Sequence, residues 1–298
     1  MGKEIQELYD HNKKPIKIVG VMCSKRSKNE CAREDPSNLE VLKVALNEAR
    51  KLGAETEILD LRELKIGACK ECYSTCPAQC RFNEKTTQCD CYMFKQDTIF
   101  LDNGEFMPIE EAYDKLDKKE FFRLYHSKGN LAEQDDMWKV YKSFLEADGI
   151  IFSTSTIFYS RPALLQIMLS RLCALDGGVE EIWGDGKNLG NSINYAKRKG
   201  IGYKERLYGR QVAFINISKE GDSVTPDLMK ACSMMGMNII PFSVSYKTLW
   251  YDDKTNRKDK SSVINDEYTI SLAKDIGKEM VKRIKSSDRK YGTIGKVV

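Results

Sequence analysis

This sequence predicts a single doubly wound α/β domain, and three observations predict it. Short apolar runs rich in β-branched residues alternate with segments of helical period. The loops that follow those runs are polar and rich in hydroxyls. With 41% hydrophobic and 31% charged residues among 298, the chain can also bury one large core.

The elements follow in order. Residues 16–22 (IKIVGVM) read as a strand buried on both faces. A polar loop over residues 23–38 leads into LEVLKVALNEARKLG, an amphipathic helix stopped by Gly53, and a second strand occupies residues 56–61. This strand, loop, helix, strand order is a βαβ unit with a right-handed crossover. After a cysteine-rich loop, TIFLDNGEFMPIEEA predicts a hairpin turned at Asn103 and Gly104, followed by helical sequence to about Leu124. The alternation resumes with a helix over residues 137–147, a strand over 149–155 and a helix over 162–175. It ends with a strand over 211–218, a helix over 226–235, a strand over 238–244 and a helix over 268–284. Five strands alternating with helices give a flavodoxin-like, doubly wound five-stranded parallel sheet. The whole chain, 1–298, is one such domain, with a cysteine-rich loop and insertion at 67–133 and a second insertion near 177–209.

Composition excludes several functions. The net charge of +4 comes from intermixed signs without a basic block, which argues against nucleic acid as a partner. The polar start MGKEIQELYDHNKK and the lack of a long apolar run predict a soluble, cytoplasmic protein with no membrane partner. Only His11 and His126 occur, so a histidine metal site or a Ser-His-Asp triad is not expected. GDGKNLG at 184–190 lacks the spacing of a phosphate-binding P-loop and reads as a surface loop.

In an open parallel sheet, ligands bind where the strands end at their carboxyl termini, so three loops carry the expectations. The first holds Ser24, Arg26, Ser37 and Asn38 before a helix N-terminus, which suits a phosphate monoester; an ordinary helix cap by Ser37 or Asn38 explains the same residues. The second, TSTIFYSRP, sets hydroxyls beside Phe158 and Tyr159, whose faces could clasp a planar ring or simply pack in the core. The third, SKEGDSVT, has Gly221 where backbone could approach a flat cofactor, or form a plain turn.

Six of the ten cysteines fall between Cys69 and Cys91, spaced C-x2-C-x3-C-x3-C and then C-x-C. Thiolates this dense can wrap one soft metal centre; an iron–sulfur cluster, structural zinc and disulfides are the alternatives. Cys173 and Cys232 read as core residues of helices, and Cys23, at the end of the first strand, as packing.

With these loops placed, the chain resembles the NADPH-dependent FMN reductase family of flavodoxin-like proteins, in its iron–sulfur flavoprotein branch. ADGIIFSTSTIFYSRPALLQIMLSR is similar to that family's ADGIIFGSPVYxxxxxALLKxFIDR signature, and KEGDSVTPDLMKACSMMGMNIIP to its third cofactor loop. The resemblance implies bound FMN. Ser24, Arg26, Ser37 and Asn38 would lie at the phosphate. Thr154, Ser155, Thr156, Ile157, Phe158 and Tyr159 would lie at the ring, joined by Ser218, Glu220 and Gly221. It also implies NAD(P)H as reductant, a small-molecule electron acceptor or a ferredoxin as partner, and a homo-oligomer. Cys69, Cys72, Cys76 and Cys80 would be ligands of a [4Fe-4S] cluster, or of zinc, with Cys89 or Cys91 as substitutes. The chain departs from the family pattern in an expanded first loop around residues 30–35, in Thr156 where the family has proline, and in a third cysteine spaced one residue further on. A flavin-binding, zinc-stabilised interaction protein without turnover is the alternative reading.

Overall fold

A computed structural model describes residues 10–29, 35–71, 82–83, 86–95, 97–125, 127–132, 134–178, 202–218, 221–247 and 261–296. Five parallel strands form the central sheet: β1 (Lys17–Met22), β2 (Glu55–Asp60), β3 (Gly149–Thr154), β4 (Gln211–Ile217) and β5 (Asn238–Lys247). Their order is β5-β4-β3-β1-β2, every neighbouring pair parallel, which is the flavodoxin-like arrangement. The chain turns from β2 on one side of β1 to β3 on the other, so the strand order reverses between β1 and β3.

Sequence explains the positions. β3 and β4 are buried at every residue, as expected of central strands covered on both faces, whereas β2 at the edge is mostly exposed or half-buried, with Leu59 buried. Successive side chains point to opposite faces. Ile150 and Phe152, with Val212 and Phe214, face one layer built from α2 (Met137–Glu146), α3 (Ala163–Arg171) and α4 (Val224–Met234). Ile151, Ala213 and Ile215 face the other, built from α1 (Ser37–Lys51) and α5 (Glu267–Ser286). A Cβ on Gly20 would stand 2.8 Å from Leu42 and Leu46, so α1 lies close on β1. A Cβ on Gly277 would collide with the Ala45 carbonyl, so α5 rests on the backbone of α1. The β4–β5 register jumps between Val212 and Phe214, opposite the stretch of β5 that contains Pro241, whose missing N–H cannot continue the ladder. β5 resumes beyond it and runs three residues past the expected 244.

At the amino ends of the strands sits a closed charge cluster. Asp148, fully buried just before β3, accepts from the Lys17 N–H at 2.8 Å and from Arg289 Nη2 at 2.9 Å, and lies 3.0 Å from His11 Nδ1. Burial pushes its carboxyl up, but hydrogen bonds from His11, Arg289 and the Lys17 amide prevail and hold it below the ordinary value of 3.8. Arg289 also donates to the carbonyls of Lys14 and Pro15, tying the start of β1 to the segment after α5. Buried Arg210 donates to the Leu145 and Ala147 carbonyls at the end of α2, where helical carbonyls lack partners.

The insertion is built as expected around a hairpin, Thr98–Phe100 with Phe106–Pro108, turning through Gly104 at φ +88°. Helices Ile109–Lys115 and Lys118–Tyr125 follow, and Phe94, Ile99, Ala112, Phe121 and Leu124 give it a small core of its own. The second insertion contributes what the sequence pattern did not reveal: Asp176–Gly178, Gly202–Glu205 and Thr293–Lys296 form a three-stranded antiparallel sheet. The GDGKNLG loop lies outside the described residues.

Candidate functional site

The three expected loops do converge at the carboxyl ends of β1, β3 and β4, around the point where strand order reverses. Cys23 donates its N–H to Ser153 O at 2.9 Å, and the Ser153 hydroxyl donates to Asn38 O at 2.8 Å, so β3 fixes both ends of the first loop. α1 begins after Pro36, in extended conformation, with no side-chain cap. Neither Ser37 nor Asn38 caps the helix, which corrects the simple capping alternative. Asn38 is 2% exposed and its Nδ2 has no hydrogen-bond partner, an amide donor buried beside helix N–H groups. Ser24 is buried nearby, and its Oγ lies 3.4 Å from the Arg26 N–H; the Arg26 side chain is exposed.

Arg62, which sequence reasoning missed, holds this loop. It donates to Arg26 O at 2.8 Å, to Asp35 at 3.1 Å and to Asp60 at 2.6 Å. The Asp60 hydrogen bond, then Asp35, raise its pKa above the ordinary arginine value, and Arg62 in turn lowers that of Asp35. Only its place just after β2 could have drawn attention to it.

The second loop is a tight turn in which Ile157 and Ser160 exchange backbone hydrogen bonds. Phe158 (φ +47°) and Tyr159 (φ +55°) both occupy the left-handed region, where non-glycine residues cost about 1–2 kcal/mol each. Both are exposed, at 82% and 69%, so the core-packing alternative does not hold for them. Thr154 and Thr156 are buried; Ser155 is half-buried and Ile157 exposed. Two hydrogen bonds tie this turn to the third loop: Ser218 Oγ to Thr156 O at 3.3 Å, and Ser223 Oγ to Tyr159 O at 2.8 Å. An Arg161–Asp227 ion pair joins the starts of α3 and α4.

In the third loop Gly221 adopts φ +88° with open space where a Cβ would be, and Glu220 lies outside the described residues. The organising residue is Asn216, buried in β4, whose Nδ2 donates to Asp222 at 2.6 Å and to Thr156 Oγ1 at 3.2 Å. Its Oδ1 and the buried Thr225 Oγ1 have no hydrogen-bond partner. A polar residue inside the apolar run QVAFINI was the available signal: a buried amide needs partners, and here they come from two loops.

The cysteine prediction is divided. Cys72, Cys76 and Cys80 lie outside the described residues. Cys69 is half-buried, and Cys173, also half-buried, packs against the main core. Cys89 and Cys91 are buried with Sγ atoms 3.5 Å apart, and Arg171 Nη2 lies 3.3 Å from Cys89 Sγ. Among the described residues no three His, Cys, Asp or Glu side chains are arranged to hold a metal. Cys23 and Cys232 are fully buried, as expected, and burial pushes both thiols far up.

No protein-family model matches the chain, and no curated protein does. Among solved structures, the chain is similar to RosB with its bound intermediate 8-demethyl-8-formylriboflavin-5'-phosphate. The TM-score is 0.53 at 13% identity, over 91% of this chain and 79% of that one. A flavone reductase aligns at TM-score 0.48 and 17% identity, over 91% of this chain and 64% of its own. An azoreductase from Bacillus anthracis str. Sterne aligns at 0.41 and 13%, over 90% and 99%. At these identities the RosB likeness shows the fold alone, which agrees with the strand order: the protein is flavodoxin-like. Among the described residues no helix is long and apolar enough to cross a membrane.

Proposed function

We propose that the protein is an FMN-dependent oxidoreductase, taking electrons from NAD(P)H and passing them to a small-molecule acceptor or a ferredoxin. The observation that carries this reading is the pair of exposed aromatics held in left-handed conformation on the turn after β3, at the same sheet end as an uncapped helix with a buried, unpartnered Asn38 amide. Strain of this kind persists where a site needs it, and the polar atoms are of the type a phosphate ester would satisfy. RosB, whose fold the chain shares, was solved with a riboflavin phosphate derivative.

The chain fits FMN in the following way. Asn38 Nδ2, Ser24 and the first N–H groups of α1 would bind the phosphate, with Arg26 supplying charge from solvent. Phe158, Tyr159 and the Gly221 loop would flank the ring and exclude water. Asn216 would hold the two ring loops in register. When bound, FMN supplies the hydride and electron chemistry, so no acid or base is required of the protein. The described thiols do not assemble a metal site.

The experiment is FMN titration of flavin-free protein followed by flavin fluorescence, with NADH and NADPH oxidation measured on the loaded protein and iron and zinc quantified on the same sample. Saturation at one FMN per chain with FMN-dependent oxidation supports the reading. Failure to bind FMN ends it, and binding without oxidation of either nucleotide leaves a flavin carrier without turnover. Iron near four atoms per chain would add a [4Fe-4S] centre on the segment holding Cys69, Cys72, Cys76 and Cys80.

A further inference from the structure

The sequence Asp60-Leu61-Arg62 sets one guanidinium where the first loop leaves the sheet. Met22 and Asp60, the last residues of β1 and β2, stand side by side in the parallel register. Asp60 accepts the Arg62 N–H at 3.0 Å and so caps a short 3-10 turn, Leu61–Glu63, which the buried Leu61 anchors in the core. The Arg62 side chain folds back on the same carboxylate, its Nε donating to the two oxygens at 2.9 and 3.0 Å. Nη1 is left to reach across to the loop, where it donates to Arg26 O and to Asp35 Oδ1. With its side chain only 15% exposed, Arg62 is a shielded fork rather than a loose surface ion pair.

Those two contacts bracket the loop. Arg26 follows β1 by four residues, Asp35 precedes α1 by two, and the two are nine positions apart. One fork that grips both points removes conformational freedom the loop would otherwise have. α1 needs such an anchor, because its start after Pro36 has no side-chain cap. Asn38, with its buried and unpartnered amide, comes three residues after Asp35, so its placing is tied to the Arg62 contact. Charge acts in the same direction. Asp35 and Asp60 put two carboxylates beside this loop, and Arg62 is paired with both. Lys25, Arg26 and Lys28 are exposed on the loop itself. With the guanidinium in place the loop favours an anion; without it, the two carboxylates oppose one.

We propose that Arg62 is a positioning residue for recognition of a phosphate monoester: it clasps the first loop at Arg26 and Asp35 and offsets the Asp35 and Asp60 carboxylates, so that the protein prefers FMN to riboflavin. The identity of the ester rests on the flavin reading above. Arg62 itself does not touch the phosphate, since its donors are already engaged within the protein. Lysine cannot replace it, because a single ammonium does not present the planar fork that spans Asp60, Asp35 and the Arg26 carbonyl.

The test compares the full flavin-free chain as wild type, Arg62→Lys and Arg62→Gln. Hydrogen exchange is read first, on peptides covering residues 24–29 and 35–42, with peptides of β3 and β4 as the folding control. Exchange in the loop peptides should be faster in both variants and unchanged in the control peptides. Fluorescence titration should then show FMN binding weakened about tenfold in Arg62→Lys and further in Arg62→Gln, with riboflavin affinity kept within about twofold. The gap between the two variants should narrow as salt is added, because Arg62→Gln alone leaves the carboxylates unopposed. Unchanged loop exchange in both variants, equal losses for FMN and riboflavin, or a wild type with no preference between them would each overturn the proposal. A wild type that binds neither flavin ends the flavin reading instead, and inorganic phosphate then decides. It should slow exchange of the loop peptides in wild type and not in Arg62→Gln, and no slowing in wild type overturns the proposal.

Discussion

The two ends of the central sheet handle polar groups in opposite ways. At the amino end, Asp148 is surrounded by donors from three separate segments. At the carboxyl end, Asn38, Asn216 and Thr225 each bury an atom without a partner, and two aromatic residues stand in solvent on a strained turn. The charged carboxylate at the amino end is matched by donors, whereas the carboxyl end combines unpartnered buried polar atoms with backbone strain on an exposed turn, the combination that a ligand site uses.

Substitutions at the two ends should therefore differ in kind as well as in size. Asp148→Ala removes the acceptor from buried His11 and Arg289, and should destabilise the fold by about 3–5 kcal/mol in urea denaturation. Because its carboxyl is held below 3.8, the stability it contributes is present above the unfolded value and lost as pH falls through the lower folded one. Acid unfolding of the wild type should therefore begin below about pH 4, and an Asp148→Asn protein should show a weaker pH dependence there. Asn38→Leu should leave stability within about 1 kcal/mol, since the lost amide had no partner, yet weaken FMN binding about tenfold in fluorescence titration. Phe158→Gly should have the smallest effect and the opposite sign. Relief of a left-handed phenylalanine should raise the melting stability of flavin-free protein by up to about 1 kcal/mol, after allowing for the freedom glycine gives the unfolded chain, while FMN affinity falls. An Asn38→Leu protein as unstable as Asp148→Ala would break the contrast.

The amino end was largely invisible in the sequence, and the carboxyl end was partly legible. Strands such as GIIFSTS were readable because a strand buried on both faces shows as an unbroken apolar run, and sheet order then placed the loops. Within the loops, Phe158 and Tyr159 could be named, but their exposure and positive φ could not, since an aromatic pair before an apolar helix looks like core. Asn216 was passed over inside such a run. Arg171 carries no signal in the sequence, because its burial depends on Asp135, Gly67 and Tyr92, which approach from distant parts of the chain. The short strands of the three-stranded sheet are too brief and too separated to leave a periodic signal.

The missing methyl at Gly277 has a consequence at the far end of α1. α1 is a rod of 15 residues, and its backbone touches α5 at Ala45, about 10 Å along the axis from Asn38. A side chain at position 277 would displace that rod, and a rod transmits displacement to its tip. The placing of the α1 tip, and with it of Asn38, is thus set in part by a glycine on the neighbouring helix α5.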